Sequence, residues 1–170
     1  FQGCTSLTTA PVLSATTLAE SCYSYMFSGC TSLTTAPALP ATTLSNWCYY
    51  FMFDGCTSLT SAPKLPATRL TTNCYTCMFS DCTSLTTAPN LPATTLAFMC
   101  YNGMFSGCKA LQMAPELPAS KLVDKCYDNM FNGCLRLNRI IFGESFGFCG
   151  LIKSIIGYEE NEAVNLLPDW

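Results

Sequence analysis

One unit recurs along the whole chain, and this periodicity constrains the possible fold more than any other feature of the sequence. Two series of cysteines, one of leucines, one of prolines and one of Met-Phe pairs all advance in steps of 26. The cysteine series are Cys4, Cys30, Cys56, Cys82, Cys108 and Cys134, and Cys22, Cys48, Cys74, Cys100 and Cys126. A unit of this length cannot bury its apolar side chains alone, so successive units must stack and share one core. The sequence therefore predicts a solenoid in which equivalent residues of neighbouring units lie on one another.

One segment of each unit has the composition of a short strand. Residues 33–36 read Leu-Thr-Thr-Ala, and β-branched side chains between apolar positions are typical of strands. We expect this strand to end at Pro37, because proline has no N–H to donate to a neighbouring strand. Residues 140–142, Ile-Ile-Phe, follow the last clear repeat and predict a final strand.

The second half of each unit predicts a helical segment, here over residues 43–53. Leu44, Cys48 and Met52 are spaced by four, as on one face of a helix, and Thr or Ser is available as the N-cap. Gly55 suits the end of such a helix. The predicted fold class is therefore an α/β repeat solenoid of the leucine-rich-repeat type. We expect a right-handed stack of coils, with one short parallel strand and one short helical segment in each 26-residue repeat.

The repeats predict two regions in the chain. Tandem repeats occupy residues 1–137, and because Phe1 matches Phe27 and Phe53, we expect the first unit to begin in mid-repeat with further sequence upstream. Residues 138–170 leave the pattern and become acidic, which predicts a C-terminal cap and tail that cover the last apolar face. The chain has no apolar run long enough to cross a bilayer as a helix, so we expect it not to span a membrane.

Charged and catalytic side chains are scarce. Only 11% of residues are charged, the net charge is −3, and no Lys or Arg occurs before Lys64, so we expect no binding to nucleic acid. The absence of histidine removes the commonest general base and a common zinc ligand. Carboxylates such as Glu20, Asp54 and Glu116 form no recurring pair of the kind that acid–base hydrolysis requires. We therefore expect a non-enzymatic protein with no catalytic residues, no cofactor and no metal site.

The two cysteine series allow two interpretations. Free cysteine behaves as a small hydrophobic residue, so both series can belong to the core, and this is the interpretation that we favour. Alternatively, each unit contains one disulfide, either Cys22–Cys30 and its copies or Cys4–Cys22 and its copies. The second scheme would also give Cys134 a partner in Cys149. Either bond requires Cα atoms within about 7 Å of each other, which the sequence does not determine.

Cys74 and Cys77 have the spacing of a redox or zinc motif. The position of Cys77 is filled in other units by Tyr25, Phe51, Gly103 and Asn129. A single cysteine at such a tolerant position carries little weight, and a structural zinc site would need a second close pair.

Residues 27–33, Phe-Ser-Gly-Cys-Thr-Ser-Leu, are followed by an Ala-Pro turn, and copies of this phrase extend to about residue 142. The phrase resembles the BspA-like leucine-rich repeats of bacterial surface proteins. The present unit is longer, and its second cysteine series stands where that family usually has an aliphatic residue. The resemblance implies a secreted or cell-surface scaffold that mediates adhesion to a host protein, matrix component or glycan. The alternative is a structural spacer that carries another module away from the cell surface.

Four bulky residues at positions that vary between units are the candidate ligand contacts: Tyr25, Trp47, Tyr50 and Phe51. Other units have small or polar residues at the same positions, so packing does not require an aromatic side chain there. Exposed aromatic groups are typical of protein and sugar contacts, and we expect an extracellular protein or glycan as the ligand of a monomer. The alternative interpretation is lateral packing between adjacent helices.

Overall fold

The computed structural model describes residues 1–142 and 154–156. Equivalent residues of successive units lie directly against each other in it. The ring of Phe27 stacks on that of Phe53, with centroids 5.5 Å apart and planes 10° apart. The same column continues through Phe79, Phe105 and Phe131 at 5.5–5.7 Å. The chain is therefore a repeat solenoid with one coil for each 26-residue unit.

The strands overlap the segments that the sequence predicts, but most are reduced to one residue, and the predicted end at the proline is wrong where a strand continues through Pro115 to Leu117. Strand β1 spans Met113–Leu117 and strand β2 spans Arg139–Phe142, which confirms the final strand, and the two pair in parallel. In the earlier coils isolated parallel bridges take the place of longer strands. One series joins Thr9 to Thr35, Thr35 to Ser61, Ser61 to Thr87 and Thr87 to Met113, and two further bridges join Thr17 to Thr43 and Arg69 to Thr95. In the first series a proline stands two residues after each position, as Pro37 does after Thr35, and it has no N–H to donate to the ladder.

The helix predicted over residues 43–53 is wrong, because this part of each coil is a run of tight turns. We call these runs the turn series; they span 20–29, 46–55, 72–81, 98–107 and 124–133. Half of their N–H groups close turns onto the carbonyl three residues earlier, as from Met52 to Tyr49 at 3.2 Å. The alternate N–H groups donate to the next coil. In the second coil these bonds run from Trp47 to Thr72, Tyr49 to Cys74, Phe51 to Thr76, Phe53 to Met78 and Gly55 to Ser80, at 2.8–3.1 Å.

The turn series explain why the helix prediction failed. A residue with positive φ recurs at every fourth position, here Trp47 at +63°, Phe51 at +52° and Gly55 at +68°. The chain therefore repeats its geometry every four residues, and Cys48 and Met52 both point into the core with no exposed surface. A spacing of four is also the signature of a helix face, so the apolar pattern by itself could not distinguish the two structures.

Both cysteine columns belong to the core, and the column of Cys56 has a specific role there. The Sγ of Cys56 donates to the carbonyl of Phe27 at 3.1 Å, and this carbonyl also accepts the N–H of Cys30 at 3.0 Å. The same Sγ bond recurs at 3.1 Å in Cys30, Cys82, Cys108 and Cys134. All twelve cysteines of the described residues are free thiols, which supports the core interpretation over one disulfide per unit. The pairing of Cys134 with Cys149 lies outside the described residues.

Part of the predicted C-terminal cap contacts the last coil. Residues 154–156 are helical, and the carbonyls of Ser154 and Ile155 accept the N–H groups of Asn129 and Phe131 at 2.6 and 2.9 Å. The side chain of Ile155 is completely buried. The remainder of this predicted region beyond Phe142 lies outside the described residues.

We expect Gly107→Ala to lower the free energy of unfolding by more than backbone strain alone accounts for. When the chain also carries Asp81→Gly, this additional loss should disappear. Gly107 has a φ of +72°, and a Cβ there would contact the carboxylate of Asp81, with its Cγ at only 3.1 Å. The left-handed conformation costs about 1–2 kcal/mol for a residue with a Cβ, and the crowding adds about 1–3 kcal/mol. Denaturant unfolding of both single variants and the double variant measures the coupling free energy.

Gly133→Ala is the matched control for this cycle. Its φ is +71°, but the added Cβ would meet only the backbone of Gly107, at an ordinary 3.6 Å. This variant should show the strain alone. Equal losses for Gly107→Ala with and without Asp81 would contradict the steric argument.

We also expect the free energy of unfolding to fall at alkaline pH. Burial raises the pKa of Cys48 to about 11 and that of Cys56 to about 12, from an ordinary value of 9.0. The folded chain therefore holds thiol protons that the unfolded chain releases. This stabilisation is complete below about pH 9 and is lost as the pH rises towards 11–12. Each such thiol contributes a slope of about 1.4 kcal/mol per pH unit in that window.

Denaturant unfolding between pH 7 and 10.5 measures this slope. Burial also raises the pKa of Cys100 to about 12, so Cys100→Ala should reduce the slope by the contribution of one thiol. A stability profile that stays flat above pH 9 would show that the thiols are not buried in this way.

Candidate binding site

The structure brings together all four residues that the sequence suggests as ligand contacts. We call Tyr25, Trp47, Tyr50 and Phe51 the aromatic cluster. Tyr50 lies at its centre and meets the other three rings at large angles, with centroids 4.6–5.4 Å away. Tyr25 stacks on Phe51 across the boundary between two coils, at 5.2 Å and 19°. The cluster therefore spans the first two turn series.

Hydrogen bonds of the backbone set the positions of these rings. The N–H of Tyr25 donates to the carbonyl of Tyr50 at 2.8 Å, which fixes the two coils relative to each other. The N–H of Tyr50 closes a turn onto the carbonyl of Trp47 at 3.3 Å, and this turn holds both rings on one side. The same two types of bond recur in every coil. The cluster therefore differs from the rest of the stack in its side chains and not in its backbone.

The cluster is packed on one side and open on the other. Tyr25 and Trp47 are each 37% exposed, whereas Tyr50 and Phe51 are partly buried between them. Both interpretations of the sequence therefore describe part of the geometry. The inner rings pack laterally between coils, and the outer rings present aromatic surface to the solvent.

Three of the four aromatic residues have a strained backbone. The φ angles of Tyr25, Trp47 and Phe51 are +55°, +63° and +52°. Later coils fill the same positions with Asn73, Gly103 and Asn129, among other residues, and asparagine and glycine tolerate this conformation best. A bulky residue there costs about 1–2 kcal/mol. The positive φ recurs at these positions in every coil, so it belongs to the repeat, and the aromatic side chains are what distinguish the first two coils.

The backbone places two acidic residues near the cluster. Ser21 donates its N–H to the carbonyl of Asn46 at 2.9 Å, which places Glu20 alongside the residues that lead into Trp47. On the other side, the N–H of Asp54 donates to the carbonyl of Phe51 at 3.3 Å. In the sequence Glu20 and Asp54 stand as isolated carboxylates, because the pairing between coils that brings them to one site is not visible in either unit.

Asp54 is held by neighbouring hydroxyl groups. The hydroxyl of Ser28 donates to its carboxylate at 3.4 Å. Burial raises the pKa of Asp54, and hydrogen bonds from Ser80 and Ser28 offset part of that shift. Burial also raises the pKa of Tyr50, and the nearby Tyr25 adds to the effect.

Cys77 follows Tyr25 and Phe51 in the same column, next to the cluster. Burial, together with the charges of Asp54 and Asp81, raises the pKa of this thiol to about 12. A thiol that stays protonated at neutral pH is a poor nucleophile, so the surroundings of Cys77 do not suit redox exchange. Within the described ranges no group of three or more residues has the arrangement of a metal site.

The bridging residues of the first two coils lie in a shallow depression. Thr8, Thr9, Thr34, Thr35 and Pro37 line most of its volume of about 270 Å³, and none of them is charged. In the part of the chain that the structure describes, no helix is both long and apolar enough to cross a bilayer. The aromatic cluster is thus the surface feature with the most specific chemistry.

The sequence matches the family model described as the BspA type leucine rich repeat region. The match contains six copies, over residues 1–112 and 48–151. No curated protein and no solved structure matches the chain. The two matched regions cover most of the sequence and coincide with the coils described above. The chain therefore belongs to the BspA-type leucine-rich repeat family.

Proposed function

We propose that this protein is a non-enzymatic scaffold, secreted or displayed on a bacterial cell surface, that binds an extracellular protein or glycan through the aromatic cluster. Membership of the BspA-type family supports the location, since these repeats are typical of bacterial surface and secreted proteins. The proposal takes the scaffold to be a monomer with right-handed coils. Adhesion would then depend on a rigid stack that presents a binding surface.

The observation that carries this proposal is the strained placement of exposed aromatic residues. Aromatic rings that the fold needs occur in every coil, as the buried Phe53 and Tyr49 columns do. Tyr25, Trp47 and Phe51 have no aromatic equivalents in the later coils, and their backbone conformation favours other residues. Partly exposed aromatic groups of this kind supply much of the binding free energy in protein interfaces. A ligand contact accounts for their presence where packing does not.

Trp47→Asn should separate binding from folding. Asn73 has the same role in the next coil with a φ of +55°, so asparagine suits this backbone and the melting temperature should be kept. Loss of an aromatic anchor should weaken binding by about 2 kcal/mol, roughly thirtyfold. The measurement is the affinity for a ligand found on an array of matrix proteins and glycans.

Phe98→Ser is the matched control, because Phe98 is 39% exposed in the fourth turn series, away from the cluster. This variant should bind like the wild type. If Trp47→Asn also binds normally, the cluster is not the contact site. If the array yields no ligand at all, the role of a structural spacer gains support.

We propose in addition that residues 1–137 form the repeat domain and residues 138–170 the C-terminal cap and tail. The bonds from Asn129 and Phe131 to residues 154–155 support a covering role for this segment. A chain that ends at residue 137 should expose the last coil and associate in size-exclusion chromatography. A chain that ends at residue 156 retains Ile155 and should remain monodisperse. Equal behaviour of the two truncated chains would argue against a cap.

A further inference from the structure

We propose that the aromatic cluster receives an arginine side chain of a partner protein, with Glu20 and Asp54 complementing its positive charge. This inference rests on the proposed function and names the chemistry of the ligand. The juxtaposition that carries it is a set of aromatic rings with two acidic residues near it along the backbone, in a part of the chain without any Lys or Arg.

The angles between the rings favour a cation over a sugar. The plane of Tyr50 is inclined by 80° to Tyr25 and by 67° to Trp47. The rings of the cluster therefore lie in more than one plane, with Tyr25 and Trp47 as its exposed members, whereas stacking of a sugar needs one broad open face. A cation is attracted to the electron-rich face of each ring, so inclined rings can act on it together. The flat guanidinium group also stacks on aromatic rings.

The distribution of charged residues also favours a cationic ligand. The part of the chain before Lys64 contains two carboxylates, Glu20 and Asp54, and no Lys or Arg. Residues 64–142 contain seven basic and four acidic side chains. Both acidic residues of the first coils therefore lie near the cluster, and no Lys or Arg belongs to the same part of the chain. Such a field draws a cationic partner and repels an anionic one.

The two carboxylates have different positions in this arrangement. Glu20 is exposed and lies beside the stretch of backbone that leads into Trp47, so it can pair with a guanidinium at the rim. Asp54 is only partly exposed and follows Phe51. Burial raises its pKa, and a neighbouring cation would favour its ionised form. The site thus combines one exposed and one partly buried acidic residue.

Trp47 can report directly on occupancy. The sequence contains only two tryptophans, Trp47 and Trp170, so Trp170→Phe leaves a single fluorophore at the site. The full chain with this change is titrated with an Arg-Gly repeat peptide, a Glu-Gly peptide of equal length, and a neutral oligosaccharide. Fluorescence of Trp47 is followed at low and high salt.

We expect only the arginine peptide to change the fluorescence of Trp47, with an affinity that falls as salt increases. Glu20→Gln should weaken this binding by about threefold. The matched control is Glu116→Gln, which removes an exposed carboxylate in β1 and should leave binding unchanged. Because Trp47→Asn removes the fluorophore, its binding is measured by calorimetry, and we expect a loss of about tenfold.

Two results would overturn the inference, and they separate it from the proposed function. A response to the oligosaccharide with none to the arginine peptide would leave a binding site at the cluster but assign it a neutral ligand. Binding of the arginine peptide that is unchanged in both Glu20→Gln and Trp47→Asn would place the contact elsewhere on the surface. The proposed function itself fails only when Trp47→Asn leaves the affinity for the ligand found on the array unchanged.

Discussion

Hydrogen bonds between the turn series of neighbouring coils hold the whole stack in register. In the second coil, five N–H groups from Trp47 to Gly55 donate to carbonyls in the third coil. The alternate N–H groups close turns within the coil, so every N–H from Trp47 to Gly55 has a defined partner. Because each acceptor in the next coil lies one residue before the equivalent position, as Cys74 does for Tyr49, equivalent side chains lie above one another. The stacked columns of Phe and Tyr follow from this arrangement.

The register also explains a residue choice that hydrophobicity alone does not. The column of Cys56 could be filled by another small apolar residue if burial were its only role. Its thiol, however, donates to the carbonyl of Phe27, which also accepts a backbone N–H. A cysteine is small enough for the space between coils and still supplies a weak donor. The core is therefore defined by hydrogen bonding as well as by volume.

The regular backbone leaves a few positions free to carry function. The left-handed positions of the turn series are held by bonds between coils whatever their side chain, so they can vary with only a local cost. Coils one and two have Tyr25, Trp47 and Phe51 at these positions, and later coils have smaller residues there. The side chains of a binding surface can thus vary while the residues of the core stay the same. This separation suits a family whose members share a fold and present different surfaces.

The sequence by itself determined the period, the stacking of equivalent residues, the position of the last strand and the family, because a 26-residue repeat permits few other arrangements. It also singled out Tyr25, Trp47, Tyr50 and Phe51, because packing that needed these rings would need them in every unit. Only the tertiary structure decided between helix and turns in residues 43–53. A spacing of four fits both, and the decisive hydrogen-bond partners lie in the next coil, beyond the reach of any local pattern. The same reason applies to the neighbourhood of Glu20, since the bond from Ser21 to Asn46 forms only when two coils are stacked.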